Sequence, residues 1–299
     1  MYQFQLSDEQ KTFYFREGYL VIERVFDHAD LARIDGTIRD LTDAAIAGGA
    51  EQSKIIELEP EPLDGQRVAR RIHHPFEQHQ VFRDVATDPR VLDRVESIVG
   101  PDINLHHSKL NMKPAKVGSV VDWHQDMAYF PHTNDSVVTT LIYLDDATEE
   151  NGCLQVLPRH HTHYFDHAGP DGIFAGMITE VIDDGRFGRP VSLAAPAGSV
   201  IFMHAITPHA SLPNRSSRPR KTLIFEYRAS DSFAIYYPHM NVGNQPKHRQ
   251  LRGKPALHAR LAGPAPLLTP RGETSSSLYE LQAKSRTVLS QKMPQMAAT

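Results

Sequence analysis

The chain has 299 residues, of which 40% are apolar and 23% charged, enough for one large globular domain with a sizeable core. A formal charge of -4 and a pI near 6.5 give no basic field for nucleic acid or an anionic membrane. Cys153 is the only cysteine, which excludes an internal disulfide framework, suits a reducing cytoplasm, and reads as a small buried hydrophobe. The N-terminus lacks the basic and apolar regions of a signal peptide, and no apolar run reaches membrane-spanning length. The expectation is a cytoplasmic protein whose partner is a small molecule, with no membrane or nucleic-acid partner; monomer and homodimer stay open.

In chain order, Ser7-Asp8-Glu9-Gln10 is a capping box that opens a helix ended by Gly18. A short strand at 19–22 follows. Asp27 caps a second helix whose apolar residues Leu31, Ile34, Ile38 and Leu41 recur at helical spacing, with Gly48-Gly49 as the stop. Residues 50–66 are Glu- and Pro-rich without period and read as a loop. Two helices are expected at 76–86 and 89–99, the latter entered by Asp88-Pro89. From 103 the pattern changes to short β-like runs at 103–112, 117–123, 137–144, 153–157, 191–194, 199–203 and 222–227. Turn signals such as Asn151-Gly152 and Pro196-Ala197-Gly198 separate them. That punctuation predicts a jelly roll rather than βαβ units. The His-rich segment 159–190 is long enough for a lid, and a last helix is expected at 275–288.

Two His-x-Asp sequences occur. His28-Ala29-Asp30 opens a helix, where side chains two apart diverge by about 200°. His124-Gln125-Asp126 ends a β-like run, where side chains two apart point the same way. An imidazole and a carboxylate converging on one point are two ligands of a 2-His-1-carboxylate facial triad. His209, just after the apolar run 199–203, is the candidate third ligand. Eleven residues later Arg220 opens another strand-like run, with no acidic residue near it in sequence. A buried guanidinium needs a carboxylate, so this one leaves room for a carboxylate ligand, and Ser211 shares the side of His209.

His124-Gln125-Asp126, His209 with Ser211, and Arg220 together resemble the phytanoyl-CoA dioxygenase family of iron(II)/2-oxoglutarate oxygenases. Supporting motifs are Glu17-Gly18-Tyr19-Leu20-Val21, Asn151-Gly152-Cys153-Leu154-Gln155-Val156-Leu157-Pro158, Gly198-Ser199-Val200-Ile201-Phe202 and Pro213-Asn214-Arg215-Ser216. The likeness covers about residues 5–230. It implies a mainly β fold with flanking helices: a double-stranded β-helix (a cupin-like jelly roll) with N-terminal helices packed on it. It implies that His124, Asp126 and His209 bind Fe(II), that Arg220 pairs with the distal carboxylate of 2-oxoglutarate beside Ser211, and that Asn111 contacts the same cosubstrate. O2 is the other cosubstrate. Hydroxylation of an unactivated C–H is the expected reaction, or a related desaturation or cyclisation, with release of succinate and CO2. One departure is Pro158-Arg159-His160-His161, where the family commonly has Pro-Gly-Ser-His.

The expected organisation is a single oxygenase domain over 1–299. It comprises a mostly helical part to 102, a jelly-roll core at 103–230 carrying the lid-like insertion 159–190, and a C-terminal extension from 231. Met127, Tyr129, Phe130 and His132 follow the ligand pair and are expected at the substrate pocket; packing at the jelly-roll mouth is the alternative for them. His160, His161, His163 and His167 read as solvated loop histidines rather than a second metal site. The rival functions are a cupin-like metal isomerase or lyase that does not use 2-oxoglutarate, and a non-catalytic binding protein on the same fold.

Overall fold

Ser7 accepts the Gln10 backbone N–H while the Gln10 side chain returns to Ser7, so α1 (Asp8–Glu17) starts where the capping box places it. Gly18 ends it at φ 83°, a left-handed position that suits glycine. The computed structural model describes residues 3–48, 55–60, 62–63, 65–116, 118–235, 249–272 and 278–292. Parts of five expectations fall outside that set: Gly49 of the helix stop, the loop at 50–66, the strand start at 117, the C-terminal extension from 231, and the helix start at 275–277.

β1 (Tyr19–Ile22) leads to α2 (His28–Ala47), capped by Asp27 in a second box with Asp30. The segment read as a loop holds β2 (Ile56–Leu58), and β3 (Ala69–His73) follows it; both were missed. β2 is only three residues long, and β3 buries Arg70, Arg71 and Ile72 in a row, two of them charged, so neither shows an apolar alternation. The helix expected at 76–86 is broken at His79, which is extended (φ -151°, ψ 146°), into α3 (Pro75–Gln78) and α4 (Gln80–Ala86). α5 (Pro89–Val99) starts at Asp88-Pro89 as predicted.

The remaining elements are β4 (Ile103–Lys113), β5 (Val121–His124), α6 (Asp126–Tyr129), β6 (Val137–Tyr143), β7 (Leu154–Val156), α7 (Asp184–Phe187), β8 (Val191–Ser192), β9 (Val200–His204), β10 (His209–Ser211), β11 (Arg220–Ala229), β12 (Gln250–Arg252) and α8 (Leu278–Lys292). All pairings between named strands are antiparallel. The larger sheet runs β1-β9-β6-β11-β4-β3-β2, with β12 also on β4; the smaller runs β5-β10-β7-β8. This is the jelly roll with helices packed on it.

Alternation along the large sheet sorts its two faces. Val138, Ile142, Val200, Phe202, Leu223 and Phe225 pack outward against Tyr14, Ile34, Phe82 and Val91 of the helices. Leu141, Tyr143, Ile201, Met203 and Ile224 pack inward with Leu154 and Val156 of the small sheet. On β4 the register shifts: Glu226 of β11 pairs with His107, but Tyr227 pairs with Leu105. The extra residue, His106, is a β-bulge that reverses the face of everything after it. Lys109, Asn111 and Lys113 therefore point between the sheets, where the site lies.

Candidate metal centre and cosubstrate pocket

β5 and β10 are neighbours, and their register sets His209 directly opposite His124. Asp126 lies two residues beyond the end of β5, as the first residue of α6. The ligand atoms of the three side chains lie within 4.8 Å of one another, and all three residues are buried. Nε2 of each imidazole is 3.9 Å from Oδ1 of Asp126.

Each ring is oriented from behind. Nδ1 of His124 is 2.8 Å from the Asp122 carbonyl, and Nδ1 of His209 is 3.0 Å from the Thr207 carbonyl. A carbonyl only accepts, so both Nδ1 atoms carry hydrogen and both Nε2 lone pairs face Asp126. Burial holds both imidazoles in the neutral form, with pKa values below the usual histidine range. Burial alone would raise the Asp126 carboxyl, but Lys109, the two rings and the Thr139 hydroxyl outweigh it and hold it well below the usual carboxylate range. The Thr139 hydroxyl donates to Asp126 Oδ2 at 2.8 Å, leaving Oδ1 toward the rings. A neutral His pair and an ionised carboxylate presenting one atom each form a donor set suited to iron(II).

Gln125, between the ligands, is fully buried. Its side chain donates to the carbonyls of His163 (2.9 Å) and Ile206 (2.7 Å) and accepts from the Phe165 N–H (2.8 Å). Its backbone N–H donates to Nε2 of His167 at 3.3 Å. The start of the 159–190 segment is thereby tied to the ligand turn. His161 and His167 are buried, which corrects the expectation of solvated histidines for those two.

A cavity of about 50 Å³ extends from the three ligands to Arg220. Arg220 is buried; its Nη1 donates to the Thr222 hydroxyl at 2.7 Å, and its Nε has no partner. Among the described residues no carboxylate forms an ion pair with it; Asp145, just past the end of β6, pairs with Lys221 at 3.2 Å. Arg228, also buried on β11, donates instead to three backbone carbonyls. The Arg220 guanidinium is thus aimed into a cavity with its charge uncompensated, a costly arrangement without an anionic ligand. Ser211 and Asn111 line the same cavity, and Arg71 Nε donates to the Asn111 side-chain Oδ1 at 2.9 Å.

Met127, Phe130 and His132 are placed elsewhere. Because α6 is a helical turn, Met127 swings into an apolar cluster with Phe130, Val137, Ala205 and Ile206. Phe130 and His132 both pack on His106, with centroids 4.6 Å away. None of the three lines the cavity, and neither does Tyr129. Tyr129 stands edge-on to the His124 ring, with centroids 5.8 Å apart, and its hydroxyl donates to the Gly176 carbonyl.

Several contributors were not foreseen. Lys109 bridges Asp126 Oδ1 (3.5 Å) and Glu226 Oε1 (2.9 Å). Burial pushes the Glu226 carboxyl up, with Asp126 adding to it and Lys109 opposing, to about 7. Lys113 donates to the carbonyls of Ser119 and Leu212, and burial beside Arg220 holds its pKa well below the lysine range. Lys109, Asn111 and Lys113 form a period-two polar row, which was the available sequence signal.

The phytanoyl-CoA dioxygenase (PhyH) family matches residues 14–222, a span that contains the triad, Ser211 and Arg220. The chain belongs to that family. It is 31% identical over 252 residues to a probable alpha-ketoglutarate-dependent hypophosphite dioxygenase of Stutzerimonas stutzeri, covering 81% of this chain and 84% of that protein. It is 28% identical to an ectoine dioxygenase of Stutzerimonas stutzeri strain A1501, covering 73% and 75% respectively. The crystal structure of EctD from S. alaskensis with bound Fe superimposes with a TM-score of 0.63 at 23% identity, covering 88% of this chain and 89% of that one, a likeness of fold.

The departure at Arg159 now has a structural account. Arg159 sits at φ 68°, where the family's glycine is unstrained. Its guanidinium pairs with the Glu17 carboxylate at 2.8 Å, and its backbone N–H donates to the Glu17 carbonyl at 3.0 Å. The contacts with the end of α1 hold a conformation that an arginine otherwise avoids.

Proposed function

We propose that the chain is an Fe(II)- and 2-oxoglutarate-dependent dioxygenase acting on an unactivated C–H of a small molecule. The observation that carries this reading is one cavity with a His-Asp-His donor set at one end and the uncompensated guanidinium of Arg220 at the other. His124, Asp126 and His209 would hold the iron; Arg220, Ser211 and Asn111 would hold 2-oxoglutarate. Once bound, the iron supplies the oxidising chemistry: one O2 atom enters the substrate and the other succinate, with loss of CO2.

The chain's own residues do the rest. The carbonyls of Asp122 and Thr207 fix both imidazole tautomers, and Thr139 with Lys109 keeps Asp126 ionised. Arg220 neutralises and orients the distal carboxylate, while Leu141, Leu154 and Ile224 keep water from the cavity. Tyr129, beside the His124 ring, is the substrate-side contact best supported among the residues expected there. The hypophosphite dioxygenase, at 31% identity above the 28% of both an ectoine dioxygenase and the phytanoyl-CoA dioxygenase of Bos taurus, supports a small substrate over a long acyl chain. No described helix is long and apolar enough to cross a membrane. The single free cysteine supports a cytoplasmic setting, and we read 1–299 as one oxygenase domain.

The test is substrate-dependent succinate formation by the purified protein with iron(II), 2-oxoglutarate and candidate metabolites. Asp126→Ala should abolish it. Undiminished turnover in that variant would remove the site assignment.

A further inference from the structure

Helix α8 lies outside the span matched by the family, yet two of its residues, Leu278 and Tyr279, line the cavity between the triad and Arg220. We propose that α8 is the closing wall of the cosubstrate pocket and that Tyr279 is a specificity-determining residue confining it to a five-carbon 2-oxo diacid. This inference rests on the oxygenase reading above.

The helix is anchored on the strand that carries the first ligand. Gln282 is fully buried; its carbonyl accepts the Asp122 N–H at 3.0 Å and its amide donates to the Gly176 carbonyl at 2.7 Å. Asp122 is also the residue whose carbonyl orients His124. Arg286 forms an ion pair with the Asp122 carboxylate. Leu281 packs so closely on Gly176 that a Cβ there would collide with its side chain. These contacts fix the register of α8 against β5 and the 159–190 segment.

That register puts Tyr279, itself buried, beside the cavity. The Arg70 and Arg71 guanidinium carbons stand 4.8 and 5.0 Å from its ring centroid. Two cations against one ring hold it by cation–π attraction, and Arg71 also grips Asn111, the proposed cosubstrate contact. The ring is therefore a fixed wall. With the distal carboxylate fixed by Arg220 and the 2-oxo acid end by the triad, a fixed wall leaves no room for an additional methylene.

The test is an anaerobic titration of the iron(II)-loaded protein with 2-oxoglutarate and with 2-oxoadipate, one methylene longer, read from the visible charge-transfer band. Discrimination of one methylene in a closed pocket runs to about tenfold or more. Wild type should favour 2-oxoglutarate by at least that factor. Tyr279→Ala should reduce the preference about tenfold with iron affinity unchanged, whereas Tyr279→Phe, which keeps the ring, should retain it. Gln282→Ala, which removes both Gln282 hydrogen bonds without touching the lining, should shift the preference in the same direction and serves if Tyr279→Ala does not fold. A wild-type band with an unchanged preference in both variants would overturn this inference alone. Absence of any band in iron-loaded wild type would overturn the oxygenase reading, and this one with it.

Discussion

His124 and His209 face each other across β5 and β10 with ring centroids 4.1 Å apart, each anchored through Nδ1 to the carbonyl two residues before it. Strand register creates the pairing, and the shared backbone anchor makes both rings turn the same nitrogen toward Asp126. The metal-facing geometry is thus a property of two adjacent strands rather than of a loop, and rigid elements hold a site more closely than loops do.

Lys109 and Glu226 form a buried pair whose rupture strands a charge. Lys109→Met should destabilise the metal-free protein by about 3 kcal/mol, because Glu226 and Asp126 lose their counter-ion. The double variant Lys109→Met with Glu226→Leu should recover part of that loss. Denaturant unfolding of the single and double variants gives the coupling; strictly additive losses would show that the pair does not interact.

The same carboxyl gives a pH signature. Glu226 has a folded pKa of about 7 against an ordinary value of 4.5. The folded state therefore binds this proton more tightly than the unfolded chain does. The resulting stability is complete below 4.5 and is lost as pH rises through 7. At most it amounts to about 3 kcal/mol at that shift. Asp126, held low, works in the opposite direction, with its contribution lost toward acid. Stability of Glu226→Gln minus that of wild type should therefore rise between pH 4.5 and 7; a flat difference would place an ordinary carboxyl at this position.

Arg159 occupies a left-handed position at φ 68°. Arg159→Ala keeps the backbone strain and loses the contact with Glu17, whereas Arg159→Gly loses the contact but relieves the strain. The glycine variant should be the more stable of the two by about 1 kcal/mol, measured as the difference in denaturation midpoints. Equal midpoints would mean that the backbone there is unstrained.

Much of the centre was legible because its signals are local. A His-x-Asp at a strand end, a His after an apolar run and an isolated Arg opening a strand each announce their direction through period two. Lys109 was signalled only by the polar row it forms with Asn111 and Lys113, whose face is set by the bulge at His106 in β4, and no local pattern pairs it with Glu226 on β11. Tyr279 and Gln282 were hidden for another reason. α8 was expected as a helix, but its docking on β5 depends on contacts across about 160 residues of chain, as Asp122 with Gln282 shows. Met127, Phe130 and His132 pack away from the cavity because α6 begins at Asp126 itself, sending neighbouring side chains to different sides.

The most direct test of the central claim is an anaerobic titration with iron(II) and 2-oxoglutarate, following the visible charge-transfer band in wild type, His209→Ala and Arg220→Ala. The band should form in wild type and be lost in His209→Ala. In Arg220→Ala it should form only at a 2-oxoglutarate concentration higher by about tenfold or more, the cost of losing a charge-assisted bidentate partner. An undiminished band in His209→Ala, or iron-loaded wild type that gives no band at all, would contradict the account.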